Sequence, residues 1–143
     1  MNIVILGCGR VGATLALQLE EAGNSVTVID SRSDAFQRLG NKFRGEKVLG
    51  NGVDLDVLKR AGIESADAFA AVTNGDNRNI MASQIAKEIF NVKKVVCRIY
   101  DPLRERTFKD LGLETICPTM LISGLVANAI EGKQQPATPT SQS

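Results

Sequence analysis

Asn2-Ile3-Val4-Ile5-Leu6-Gly7-Cys8-Gly9-Arg10-Val11-Gly12 decides how this chain is read: an apolar run passes directly into a G-x-G-x-x-G loop. A second apolar run, Val26-Thr27-Val28-Ile29, closes on Asp30, 18 residues after Gly12. A strand, a glycine loop that opens a helix, and an acid at the end of the next strand together make a dinucleotide-binding fingerprint. Each position has a physical reason. Gly7 permits the tight turn out of the strand, Gly9 removes the Cβ that would block a pyrophosphate, and Gly12 lets the helix pack close to the sheet. The amides at that helix's N-terminus, with its partial positive charge, face the phosphates. Asp30 is placed to accept hydrogen bonds from an adenosine ribose, and its charge repels a 2′-phosphate. NAD(H) or a plain adenine nucleotide, ATP or ADP, is therefore expected rather than NADP. Arg32 lies two residues further on, placed to stack on adenine or to meet a phosphate.

Working outward from this unit, strand and helix patterns alternate to the end. Val11, Leu15, Leu19 and Ala22 recur at helical spacing, and Gly23-Asn24 stops that helix. A short helix capped by Ser33 follows Asp30, with Ala35, Phe36 and Leu39 inward, and Lys47-Val48-Leu49 is a third strand. After the Gly50-Asn51-Gly52-Val53-Asp54 loop, Asp54 caps a helix, and Ala68 to Thr73 is apolar enough for a central parallel strand. Asn74-Gly75-Asp76-Asn77 turns into a helix with Ile80, Met81, Ile85, Ala86 and Ile89 on one face. Val95 to Ile99 is strand five, Asp101-Pro102 starts another helix, and Glu114 to Cys117 is strand six, ending at Pro118. The pattern predicts an α/β fold, a Rossmann-like doubly wound sheet of six parallel strands. A last helix over Met120 to Ile130 carries more apolar residues than a one-sided surface helix needs. Residues 132–143 read as a polar tail or the remnant of a linker, leaving 1–131 as the domain.

In such a sheet, ligands bind beyond the carboxyl ends of the strands, where strand order reverses. Five strand ends supply polar groups there: Gly7, Cys8, Gly9, Arg10, Val11 and Gly12; then Asp30, Ser31 and Arg32; Asn51 and Gly52; Thr73, Asn74 and Asp76; and Arg98. Asn51 is placed to bond an adenine edge, and Thr73 with Asn74 to line the floor beneath ribose or phosphates. Arg98 stands in an apolar strand, where an unpaired charge is costly to bury. It is expected to reach a phosphate or a carboxylate, Asp76 or Asp101 being the candidates for an ion pair. Arg10 adds a second cation beside the same phosphates.

At 143 residues the chain is one domain, too short to hold a separate substrate domain as well. Seventeen Lys+Arg against sixteen Asp+Glu, with no long basic block, point to neither nucleic acid nor an anionic membrane surface. No apolar stretch reaches the roughly 20 residues of a spanning helix, and no signal peptide is evident, so a cytoplasmic protein without direct membrane insertion is expected. Cys8, Cys97 and Cys117 are scattered and read as buried thiols in a reducing compartment. No C-x-x-C pair and no histidine is present, so no metal site is expected, nor the imidazole base that many hydride-transfer and hydrolytic mechanisms use.

The loop with its internal Arg10, Asp30, Gly50-Asn51-Gly52-Val53-Asp54 and Ala71-Val72-Thr73-Asn74-Gly75-Asp76-Asn77-Arg78-Asn79 together resemble one family. Arg98 with Asp101-Pro102, and Gly112-Leu113-Glu114-Thr115-Ile116-Cys117-Pro118, complete the likeness over about residues 1–131. It is similar to the nucleotide-binding N-terminal lobe of the regulator-of-potassium-conductance (RCK or KTN) family of Trk and Ktr potassium-uptake systems. The resemblance implies a regulatory subunit that binds NAD(H), ATP or ADP and gates a membrane potassium transporter, lying at the inner face of the membrane through that partner. It also implies homodimers assembled into rings, in which the helix after Pro118 crosses to a partner protomer, and a loop arginine near the phosphates and the subunit boundary, which suits Arg10. Two departures stand out. Some relatives carry a glutamate after the final-strand proline that helps bind a divalent cation, whereas Thr119 stands there, so no such site is expected. Many continue into a C-terminal ligand-sensing lobe, and this sequence ends at Ser143: either it is cut short of that lobe or the protein works as a short form.

These observations favour a ligand-gated regulatory subunit over an enzyme. The alternative is a small NAD-dependent oxidoreductase, or the cofactor-binding domain of one, since the cofactor fold is shared. A redox-sensing transcriptional regulator would need a helix-turn-helix or a basic stripe, and the sequence supplies neither.

Overall fold

The computed structural model describes residues 1–136, so the expected polar tail lies outside the described residues from residue 137 on. The chain runs β1 (Asn2–Leu6), α1 (Arg10–Glu21), β2 (Ser25–Asp30), β3 (Glu46–Leu49), α2 (Leu55–Arg60) and β4 (Ala68–Ala71). It continues through α3 (Asp76–Gln84), β5 (Lys94–Arg98), α4 (Pro102–Asp110), β6 (Glu114–Ile116) and α5 (Pro118–Glu131). All strand pairs are parallel, in the order β3-β2-β1-β4-β5-β6. This is the doubly wound six-stranded sheet that the apolar runs predict.

Central β1 explains why those runs are continuous rather than alternating. Val4 and Leu6 point to one face, packing with Leu58, Phe69 and Ala82, while Ile3 and Ile5 point to the other, with Ala13, Ala16 and Leu39. A strand covered by helices on both faces needs apolar residues at every position. Strand order reverses between β1 and β4, so the connections leave to opposite sides and open a crevice at the carboxyl ends.

Several local expectations are corrected. The strand read as Ala68 to Thr73 leaves the ladder at Ala71; the Thr73 N–H is taken instead by the Asn79 side chain, at 3.0 Å. The helix after β2 is a 3-10 helix, Ser33–Leu39, with Arg32 at its N-cap and no capping bond from Ser33. Asp54 does cap α2, its carboxylate accepting from the Asp56 N–H at 2.9 Å. The helix after Asp76 widens into a π turn at Ile85–Ile89, and the face read from the sequence is split: Ile80 and Ala86 are buried, whereas Met81 and Ile89 are exposed. Pro118 is itself the first residue of α5 rather than the stop of β6. No residue of α5 is buried, and Met120, Leu121, Ile122, Val126 and Ile130 all stand exposed. Among the described residues no helix is long and apolar enough to cross a membrane.

Candidate functional site

The glycine loop turns out of β1 at Gly7, whose φ of +109° only glycine adopts without strain. The Gly7 N–H donates to the Ile29 carbonyl at 2.8 Å, tying the turn to β2. Gly12 lies on the buried face of α1: a Cβ there would sit 1.8 Å from the Gly7 carbonyl oxygen, so the helix rests directly on its own loop. Gly9 is different. Its φ of −78° suits any residue, and a Cβ would meet no atom of the described residues within 4 Å. Nothing in the fold demands glycine at that point. Gly9 is also the N-cap of α1, with no side-chain cap and no acid in the first turn, so the orphan amides of that turn have no protein partner there.

Asp30 ends β2 with its carboxylate accepting from two backbone amides, Cys8 N–H at 2.7 Å and Arg32 N–H at 2.9 Å. It therefore bolts the glycine loop to the adjoining strand end while facing the crevice. Burial, reinforced by the Asp30 charge, pushes the Cys8 thiol up against the opposing pull of Arg38 and Lys47, so it is a neutral packing group at physiological pH. Asn51 folds its own loop, its Oδ1 accepting from the Val53 N–H at 3.1 Å.

On the opposite wall, Thr73 and Arg98 are joined. The Arg98 guanidinium donates from Nε (3.2 Å) and Nη2 (2.6 Å) to the Thr73 carbonyl and lies 4.8 Å from the centre of the Tyr100 ring. Neither carboxylate named as its partner reaches it. Asp76 instead accepts from the Tyr100 N–H (2.7 Å) and Asp101 N–H (3.0 Å), and Asp101 caps α4 by accepting from the Leu103 N–H.

These walls enclose a crevice of about 670 Å³, within the range of small-molecule sites. Of the residues singled out in the sequence, Gly7, Cys8, Gly9, Arg10, Val11, Asp30, Ser31, Arg32, Asn51, Gly52, Thr73, Asn74 and Arg98 line it. Gly12 lies beneath the loop and Asp76 behind the β5 end, so neither lines the cavity. Sequence reasoning missed Asp34, Arg38, Arg78 and Tyr100, which do line it. Tyr100 has a sequence signal, because residues two apart at a strand end share a face and Arg98 marks that face. Arg38 and Arg78 carried no such signal: they arrive on exposed helix faces, Arg38 donating to the Cys8 carbonyl at 3.5 Å. Five arginines (Arg10, Arg32, Arg38, Arg78, Arg98) against two aspartates (Asp30, Asp34) give the crevice a surplus of positive charge on a chain with a net charge of only +1. Open amides and guanidinium groups around a cleft of this size are suited to a small polyanion. Among the described residues there is no group of three or more His, Cys, Asp or Glu that could hold a metal ion.

Comparison with known proteins bears on the family and the fold. The chain is 53% identical over 116 residues to the Trk system potassium uptake protein TrkA of Streptomyces coelicolor, a match covering 81% of this chain and 52% of that protein. This chain thus spans about half the length of that relative. Two solved structures share its fold: GsuK bound to ADP (TM-score 0.79, 22% identity, 93% of this chain and 34% of that one) and the Shewanella denitrificans Kef CTD in AMP bound form (TM-score 0.77, 18% identity, 93% and 83%). The model of the TrkA-N domain matches residues 3–118, from the first strand through the last to the start of α5, and the chain therefore belongs to the TrkA-N domain family.

Proposed function

We propose that the crevice binds an adenine nucleotide, NAD(H), ADP or ATP, and that the chain is the nucleotide-sensing part of a potassium-uptake regulator. In this reading residues 1–131 are the sensing domain, and bound nucleotide biases a conformation that a membrane potassium transporter subunit reads. The chain then works in the cytoplasm against the inner face of the membrane, held there by its partner, and is assigned no reaction of its own. The apolar, unburied face of α5 supports a homodimer formed through 120–130, with higher rings built from it.

The observation that carries the nucleotide assignment is Gly9: glycine stands where the fold has no use for it, at the uncapped start of α1, on the floor of an arginine-rich cleft. A phosphate chain passing over Gly9 accounts for all three features. Asp30, already oriented by two amides, has lone pairs left for a ribose. GsuK with ADP and the Kef domain with AMP, both of this fold, add support from their ligands. Gating requires only that the nucleotides prefer different states, a tenfold preference corresponding to about 1.4 kcal/mol.

Calorimetric titration of ADP, ATP and NADH into the purified chain tests the assignment. At least one should bind, and Asp30→Ala should weaken it about tenfold, the order of a lost charge-assisted hydrogen-bond pair. Affinities indifferent to Asp30→Ala would refute it.

A further inference from the structure

We infer that Asn79 is a positioning residue for this crevice: it holds the Thr73 carbonyl so that the Arg98 guanidinium can leave it for a ligand. The inference rests on reading the crevice as an adenine-nucleotide site. Asn79 lies inside α3, fully buried, and does not line the cavity. Asparagine is a poor helix former, and burying its carboxamide is costly unless every polar atom is satisfied. Here each one is. Its Oδ1 accepts from the Thr73 N–H (3.0 Å) and the Thr73 hydroxyl (2.6 Å), and its Nδ2 donates to the carbonyls of Thr73 (2.9 Å) and Arg98 (3.0 Å).

The position of these bonds gives them their meaning. The β4–β5 ladder ends at the pair Ala71 and Cys97, and beyond it the two strand ends separate around the crevice. Asn79 continues the pairing where the backbone ladder stops. The Thr73 carbonyl then receives three donors, Asn79 Nδ2 together with Nε and Nη2 of Arg98, whereas a carbonyl oxygen offers two lone pairs. Arg98 is the surplus donor on the crevice side. When it swings to a phosphate oxygen, Asn79 keeps the Thr73 carbonyl satisfied, so no buried acceptor is orphaned and release costs little. Tyr100, stacked on the guanidinium, limits how far it travels.

A double-mutant cycle tests this, with ADP and NADH each titrated into wild type, Arg98→Ala, Asn79→Leu and the double variant. Asn79→Asp, which keeps the volume and the accepted bonds, repeats the cycle. Arg98→Ala and each folded Asn79 variant should weaken binding about tenfold, and the double variant should be no more than about threefold weaker than either single. Multiplied losses near a hundredfold, an Arg98→Ala without effect, or a folded Asn79 variant with unchanged affinity would overturn the inference. If neither Asn79 variant folds, wild-type NMR decides: the Asn79 side-chain amide resonances should move on adding ADP, and stationary resonances would overturn it. Failure of wild type to bind either nucleotide would remove the reading of the crevice and this inference together, whereas binding with multiplied losses removes this inference alone.

Discussion

The two walls of the crevice are built by different means. The wall at β1 and β2 is built largely on backbone: Gly7 and Gly12 permit a loop and a helix to touch, and Asp30 ties that loop to the end of β2 through two amides. The wall at β4 and β5 is made of side chains: Asn79 and Asp76 reach from α3 to hold Thr73, Arg98, Tyr100 and Asp101 where the sheet has run out of ladder. The first wall is fixed by close contact and tolerates almost no added volume at Gly7 or Gly12. The second is fixed by hydrogen bonds that a single substitution can remove without filling any space.

Gly12→Ala should give the largest effect. With a Cβ 1.8 Å from a backbone oxygen, α1 must lift from its loop. The expected cost is about 3 kcal/mol, lowering the melting temperature by roughly 10 °C. A differential scanning measurement within about 2 °C of wild type would mean that the loop and helix are not in close contact.

Asp76→Asn probes the other wall. It keeps the shape but weakens the bonds from the Tyr100 and Asp101 amides, so a loss of about 1 kcal/mol in denaturant unfolding is expected. Nucleotide affinity should fall by less than threefold, because the carboxylate neither lines the crevice nor bonds to Thr73 or Arg98. A tenfold loss of affinity at unchanged stability would place Asp76 against the ligand after all.

This contrast also governs what the sequence could reveal. The backbone wall was legible because glycines at fixed offsets, and an acid one strand later, have few other uses. β1 was legible because burial on both faces forbids a polar residue from Ile3 to Leu6. The side-chain wall was only half legible. Arg98 stood out as a charge in an apolar strand, but its resting partner, a carbonyl, has no sequence signature, and the alternative ion pair with Asp76 or Asp101 does not form. The role of Asn79 was invisible, since an asparagine in a polar helix reads as a solvated residue until its burial is known. α5 was placed within two residues, and its surplus of apolar side chains finds no cover among the described residues.

The smallest effect concerns the thiols. Burial, aided by the charges of Asp30 and Asp76, raises the Cys8 and Cys97 pKa values, Ser83 opposing at Cys97, so both stay protonated through the ordinary thiol range. Alkylation of the native protein should be slow at pH 7.5 and accelerate only as the pH rises well above it, or on unfolding. Rapid modification of Cys8 at neutral pH would show the backbone wall to be looser than its contacts imply.

The most direct test of the central claim is Gly9→Ala. No atom of the described residues lies within 4 Å of the added methyl and the backbone there is unstrained, so the melting temperature should stay within a few degrees of wild type. The same methyl would project into the path of the phosphates, so titration with ADP or NADH should reveal at least a tenfold loss of affinity. A Gly9→Ala protein that binds nucleotide as tightly as wild type would contradict the reading of this loop as a phosphate cradle.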